Sequence, residues 1–500
     1  MKRSKPKHKL IVFGDSIGQG FKNGGIYRTD LSFPNFLRNC WEPAPDFSQP
    51  VFTAQAGIPL NLEVLTRGLS DELGDNIAWT EYLQAATHLY STLKRVKKYW
   101  EGKFKPLQRP QSVPYHNQSV WGFAMNDGWL VNAKNSHEYI ESHRDGYSFF
   151  DMLPDHPMYI TAGLVLNPSL SNNFSTHSQL ENVQYFQDNG GIENLIISSG
   201  PNNIIGAVSD LKVIFSEAED LERLPSKRHY TVYRPEHFEQ EYRRLAKKVS
   251  KIGAQRVITH TIPYVTIPPV TRGVNANKSR EDHSGYFDYY TRFWIWDADF
   301  NPDLHPHLTK DEAILLDQHV DEYNAIIRKV GREHGWIVAP LNKYVTSMAR
   351  RRLGGKKHIS YPRDFCEAMK RHPMTAHLIE NGDSPKLSSE YLRIDEETGK
   401  VSKGGIFSLD GLHPTTIGYG LIARLYKQTM EKHGVKFDKP LDWDHIISND
   451  TLITDPPYLL VDLRKLLRFF SLGRQEKLAI VGNGLLTQLM GVFSQQRDKK

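Results

Sequence analysis

The sequence has little cysteine, few long apolar runs and no strong excess of either charge, and each shortage closes off a class of protein. Only Cys40 and Cys366 occur among 500 residues. Two thiols cannot make a disulfide framework, although one bridge between them is allowed, and they match no metal-ligand spacing. No window approaches the roughly 20 apolar residues needed to span a bilayer. Leu10–Phe13 follows the basic stretch Lys2–Lys9 but is far too short for the apolar core of a secretory signal. A cytoplasmic chain in a reducing compartment is therefore the expectation. The net charge of +6 is small for this length. The basic runs at Lys2–Lys9, Arg350–Lys357 and the closing RDKK lack the charge density and interleaved aromatics of a nucleic-acid binder. They read as solvated surface, with an anionic lipid surface as the alternative partner. Internal repeats and low-complexity segments are absent.

What remains is ordinary globular material, with 39% hydrophobic and 24% charged residues and a mean hydropathy of -0.51. The length suits one large domain with insertions, or two or three smaller ones. Leu10–Phe13, Leu195–Ser199 and Arg256–His260 are short buried-strand candidates. Helical segments lie between them, which predicts parallel βαβ units. Phe238, Tyr242, Leu245 and Val249 recur at helical spacing, as do Leu315, Leu316, Val320, Tyr323, Ile327 and Val330. Thr309 with Glu312 offers a capping box to the second helix and Gly331 a stop. A third helix is expected from near Pro414, with Ile417, Leu421, Ile422 and Leu425 inward and the proline in its first turn.

Two stretches, about 60–190 and 271–307, fit this alternation poorly and read as insertions over the edge where the strands end, the usual ligand face of open α/β sheets. The aromatic run Tyr286–Trp296 is either a subsite lining or the core of its insertion. From about 441 to 500 a helical C-terminal extension is expected, with helices near Leu459–Phe470 and Gln475–Phe493. Its broad apolar stripe, flanked by Arg464, Lys465 and Arg468, suits packing on the domain or peripheral membrane contact.

Four places can carry chemistry. Gly14-Asp15-Ser16 follows the first strand, where a serine hydroxyl can stand at the open sheet edge beside a helix N-terminus; the structural alternative is a helix cap and a glycine turn. Asp410-Gly411-Leu412-His413-Pro414 offers an imidazole base with an acid to orient it. The same spacing recurs at Asp442–His445, but only the first is expected at a loop-to-helix boundary. Asn202, in Gly200-Pro201-Asn202-Asn203 at a strand end, can donate its amide to a developing oxyanion; alone, the segment is simply a strong turn former. Gly122, closing Asn117–Gly122, can bring a backbone N–H close to a substrate oxygen. Gly57 and Gly163 are rivals for that last role.

Taken together and in order, these blocks resemble those of the SGNH, or GDSL-like, hydrolase family. Gly14–Ser16 is similar to its nucleophile block, Asn117–Gly122 to its glycine block, Gly200–Asn203 to G-x-N-D and Asp410–His413 to its closing D-x-x-H. The resemblance implies a flavodoxin-like three-layer α/β/α sandwich with a mostly parallel sheet, covering about residues 9–433. It also implies a carboxylic ester hydrolase working through an acyl-enzyme. Ser16 would be nucleophile, His413 base and then acid, and Asp410 the orienting acid. The N–H groups of Ser16 and Gly122 and the Asn202 amide would form the oxyanion hole. Asn203 departs from the family pattern, which has Asp there. No metal or organic cofactor is implied, and the substrate is a small-molecule, lipid or glycan acyl ester. Acyl transfer or carbohydrate deacetylation on the same machinery, and a non-catalytic binding protein on the same fold, are the alternatives.

Overall fold

The computed structural model describes residues 5–52, 57–74, 77, 81–100, 111–142, 156–274, 285–293, 295, 297–349, 361–379, 385, 387 and 405–457. A parallel sheet is built from β1 (His8–Gly14), β2 (Ile192–Ser198), β3 (Arg256–His260) and β4 (Ile337–Ala339), in that order. Outside β1 the chain at 116–120 runs alongside as an irregular fifth line. Val12 N–H donates to His116 O at 2.9 Å, Gln118 N–H to Val12 O at 2.7 Å and Val120 N–H to Gly14 O at 3.0 Å.

The apolar runs are unbroken because both faces of the sheet are covered. Ile11, Phe13, Leu195 and Ile197 enter one core, whereas Leu10, Val12, Ile196 and Ile258 enter another. After β1 comes the single-turn helix α1 (Ser16–Gln19), then α2 (Phe33–Arg38). The first core is shared with α3 (Gln179–Asp188), α4 (Pro235–Ile252) and α5 (Lys310–Glu333). The second is shared with α2, α6 (Thr416–Lys432) and α7 (Trp443–Ser448). The fold is thus mixed α/β with a mostly parallel central sheet, compatible with three layers. Among the described residues, no helix is long and apolar enough to cross a membrane.

The expected helices form, with corrections at their ends. Phe238, Tyr242, Leu245 and Val249 are all buried on α4. The Thr309–Glu312 capping box closes the start of α5, with Glu312 N–H donating to Thr309 Oγ1 at 3.2 Å. Thr309→Ala should cost about 1 kcal/mol in chemical denaturation. Gly331 does not stop this helix, which runs on to Glu333. A Cβ at Gly331 would lie 2.7 Å from a Val338 methyl, so the glycine serves close helix–strand packing instead. Helix α6 is capped by Thr415, and Pro414 stays outside it, bridged to Phe407.

The stretches read as irregular contain regular structure. Thr271–Gly273, Tyr289–Arg292 and His307–Thr309 form a three-stranded antiparallel sheet. Within 60–190 lie helices at Leu62–Leu73, Tyr82–Trp100 and Pro157–Leu166, besides α3. The third of these is buried along its whole length from Tyr159, so it shows no amphipathic period. Beyond α6, Trp443, Ile446 and Ile447 join the second core, and Asp450 accepts the Ile417 N–H at 2.7 Å. The helices expected at Leu459–Phe470 and Gln475–Phe493, Trp294 and Trp296, and the run Arg350–Lys357 lie outside the described residues. Cys40 and Cys366 are both buried thiols, so no bridge joins them.

Two histidines brace β1. Ser48 N–H donates to His116 Nδ1 at 3.0 Å, which leaves His116 Nε2–H to donate to His8 Nδ1 at 3.3 Å. His8 Nε2–H then donates to Asn189 O at 3.3 Å. This chain needs both rings neutral, and burial pushes His116 down to about 4 from the ordinary 6.5. Between those values the unfolded chain binds a proton that the folded one refuses. The His116 contribution therefore falls as pH drops below the ordinary histidine range. His116→Gln should flatten that part of the pH dependence in urea unfolding measured from pH 4.5 to 7.

Candidate active site

The site begins at the C-terminal end of β1. A Cβ on Gly14 would sit 1.8 Å from Ser198 O, so only glycine allows β1 and β2 to approach here. Asp15 then caps α1, its Oδ1 accepting Ile17 N–H at 3.0 Å. Burial raises its carboxyl to about 7. The helix-cap reading is realised by Asp15, and Ser16 takes the first helical position.

From there Ser16 Oγ–H donates to His413 Nε2 at 2.8 Å, across 397 residues of sequence. His413 Nδ1–H donates to Asp410 Oδ2 at 3.2 Å. The three residues Ser16, His413 and Asp410 are 6%, 2% and 4% exposed, so their polar groups are shielded from water. Asp410 Oδ1 accepts the N–H groups of Leu412 and His413, both at 2.8 Å, and Oδ2 also accepts Gly24 N–H at 3.0 Å. Burial works against its charge, but His413 and these backbone donors outweigh it and hold the carboxyl below its ordinary range. The Phe21 ring packs 4.4 Å from the His413 ring. Tyr419 Oη–H reaches Phe21 O at 2.6 Å and Ser16 O at 3.4 Å, tying α6 to the serine turn.

The second Asp-x-x-His segment also stands at a helix start, contrary to expectation: Asp442 caps α7 and accepts His445 N–H at 2.9 Å. Helix boundaries therefore do not separate the two segments, because an aspartate is a good cap wherever a helix begins. Their surroundings do. His445 is exposed, and its ring meets the Asn449 amide at 3.4 Å rather than a serine.

The other expected residues gather at the same sheet corner. Asn117 Nδ2–H donates to Gly18 O at 2.9 Å, and Trp121 N–H donates to Gln19 Oε1 at 2.9 Å. These bonds lash the 117–122 loop to α1. Gly122 has φ of +79. Asn202 lies in the 3-10 turn after β2, and its Nδ2 donates to Phe123 O at 2.8 Å, beside Gly122. Asn203 is fully buried and accepts Met125 N–H at 3.1 Å, which ties the same loop to the end of β2. Among the described residues, neither the Ser16 N–H nor the Gly122 N–H has a hydrogen-bond partner. Of the rival glycines, Gly163 is inside a helix and Gly57 turns its carbonyl to Trp100 Nε1–H at 2.9 Å.

Further along, Asp127 Oδ2 accepts Ala124 N–H at 2.8 Å, and the same carboxylate makes a two-pronged pair with Arg228 at 2.5 and 3.0 Å. Sequence reading missed this support, and it missed Asn23 and Gly24, which contact the 408–410 segment. One signal for them was legible: Asn-Gly is the preferred pair for a tight hairpin turn. Comparison with protein-family models, curated proteins and solved structures returned no match to this chain.

Proposed function

We propose that this chain is a serine hydrolase of the SGNH type, on a flavodoxin-like three-layer scaffold, which cleaves an acyl ester through an acyl-enzyme. The observation that carries the reading is the unbroken hydrogen-bond chain from Ser16 Oγ through His413 to Asp410, at 2.8 and 3.2 Å. A hydroxyl, an imidazole and a carboxylate in this sequence form a nucleophile, a base and its orienter. The line at 116–120 outside β1 agrees with the scaffold, since the strand order then becomes that of a flavodoxin-like sheet.

In this mechanism Ser16 Oγ bonds to the ester carbonyl carbon while its proton passes to His413 Nε2. Asp410 holds the Nδ1–H tautomer and stabilises the imidazolium. The carbonyl oxygen, now negative, meets the N–H groups of Ser16 and Gly122 and the second Nδ2 hydrogen of Asn202, the first being engaged by Phe123 O. Collapse expels the alkoxide, which takes the proton from Nε2. Water then repeats the steps on the acyl-enzyme and frees the acid and Ser16. The chemistry needs only protein groups.

The test is a panel of activated esters from acetyl to long-chain, run beside acetylated sugars and phospholipids, together with a fluorophosphonate probe. Turnover of at least one ester class and labelling of the chain are expected. No turnover on any substrate together with no labelling would overturn the reading.

A further inference from the structure

The residues from Lys22 to Gly25 form a two-residue hairpin. Lys22 and Gly25 exchange both backbone hydrogen bonds at 3.1 Å. Asn23 and Gly24, between them, have φ of 53 and 80, both in the left-handed region. This is the primed turn that Asn-Gly favours, since asparagine tolerates that region and glycine has no Cβ to clash. The turn is buried rather than at a surface, with Lys22 5% and Asn23 1% exposed. A buried polar turn needs partners for its groups, and here four of them, Ser408, Leu409, Asp410 and Thr416, belong to the segment that carries the acid and base.

Gly24 N–H donates to Asp410 Oδ2 at 3.0 Å, the same oxygen that receives His413 Nδ1–H. Asn23 N–H donates to Ser408 Oγ at 2.9 Å, and Asn23 Oδ1 accepts Leu409 N–H at 3.1 Å. At the root of the turn, Lys22 Nζ–H donates to Thr416 Oγ1 at 2.9 Å, at the start of α6. The turn therefore grips 408, 409, 410 and 416, on both sides of His413. Its far side is anchored as well: Asn23 Nδ2 donates to Glu63 Oε2 and to Tyr27 Oη, each at 2.9 Å. Glu63 in turn pairs with Arg67 at 2.9 Å.

We propose that the Lys22–Gly25 turn positions Asp410, with Asn23 as the positioning residue: it fixes the carboxylate so that Oδ2 lies on the His413 Nδ1–H. This deepens the hydrolase reading and rests on it. Asp410 follows directly on the two residues that Asn23 holds, and on its other side Oδ1 is fixed by the Leu412 and His413 N–H groups, which leaves the turn as the long-range hold on Oδ2 besides His413. The one N–H that the turn gives to Oδ2 also favours the charged carboxylate over the protonated one. The hydrogen bonds of the Asn23 side chain and N–H go to Ser408, Leu409, Glu63 and Tyr27, so it acts on the imidazole through the acid.

The experiment uses the full chain and two variants. Asn23→Gly keeps the turn backbone, because glycine accepts a φ of 53, and removes the grip on Leu409. Ser408→Ala removes the acceptor for Asn23 N–H, and it carries the same test should Asn23→Gly fail to fold. Each is assayed for kcat and KM on the best ester of the panel. The downfield proton resonance of His413 Nδ1–H is followed by NMR and identified by its loss in His413→Ala. The expected result is a kcat roughly 10- to 100-fold lower, the size of effect that a small misplacement of a catalytic group produces. KM should stay within about twofold, because substrate binding does not use the Asp–His contact, and the His413 resonance should move upfield or broaden. A folded Asn23→Gly or Ser408→Ala protein with wild-type kcat and an unmoved resonance would overturn the proposal. The two readings separate cleanly: a wild type that hydrolyses no ester and takes no probe removes the hydrolase reading, while the resonance still reports whether the turn sets the Asp–His contact.

Discussion

Ser16→Ala should abolish fluorophosphonate labelling and lower ester turnover on the order of 10⁶-fold, and His413→Ala should be about as severe. The two losses should not add in the double variant, because the hydroxyl is a poor nucleophile unless His413 Nε2, 2.8 Å away, takes its proton. Asp410→Asn should fall less far, by roughly 10⁴-fold, since an amide in that place can turn its N–H toward His413 and favour the wrong tautomer. His445→Ala should leave turnover close to wild type. Single-turnover kinetics with an activated ester, run beside probe labelling, measures all four. Equal labelling of Ser16→Ala and wild type removes Ser16 from the chemistry. A severe loss in His445→Ala with none in His413→Ala moves the base to the second Asp-x-x-His segment.

Asn202→Ala should lower kcat about 100- to 1,000-fold, or roughly 2.7–4 kcal/mol, while KM changes little. The reason is that its amide meets the carbonyl oxygen most strongly once that oxygen is negative. The side chain is held for this role by the 2.8 Å bond to Phe123 O, which fixes the amide plane and leaves one Nδ2 hydrogen available. Asn202→Asp should be at least as damaging, because a carboxylate repels the oxyanion and also loses the donor to Phe123. Asn203 acts at one remove, since its Oδ1 holds Met125 N–H and with it the loop that bears Gly122. Asn203→Asp keeps that acceptor and should be milder than either Asn202 variant. Steady-state kinetics on folded variants decides the matter. Near-normal kcat in Asn202→Ala, or a clearly worse Asn203→Asp, sinks this assignment of the oxyanion donors.

Some of this was present in local sequence alone. Leu10–Phe13, Leu195–Ser199 and Arg256–His260 read as strands because a sheet covered on both faces leaves no polar alternation, and three of the four central strands follow from that pattern. The Thr309–Glu312 box and the α4 stripe are local physics too: a cap and a 3.6-residue period act within one or two turns of chain. The Asp15 cap belongs to the same class, since it depends on a neighbour two residues away. β4, only three residues long, carried too little pattern to be seen. The buried helix Pro157–Leu166 escaped for the opposite reason, being apolar on every side.

What only the tertiary structure decided is which local candidates meet. Two Asp-x-x-His segments have the same spacing, and both cap or precede a helix, so nothing within either distinguishes them. Packing of α6 against α2 and β4 brings His413 to Ser16 across 397 residues, whereas α7 leaves His445 at the surface. The same holds for the glycines: hydrogen bonds from Asn117, Val120 and Trp121 tie the loop that carries Gly122 to α1 and β1, and no feature of its own residue type separates it from Gly57. Asn23–Gly24 carries a turn signal that the sequence reading passed over, and its partner at Ser408–Asp410 lies nearly 400 positions away. Local sequence determines the conformations that a segment favours, because those energies come from its own backbone and nearest side chains. Contacts between distant segments depend on how the whole core closes, and the proposed site consists of such contacts.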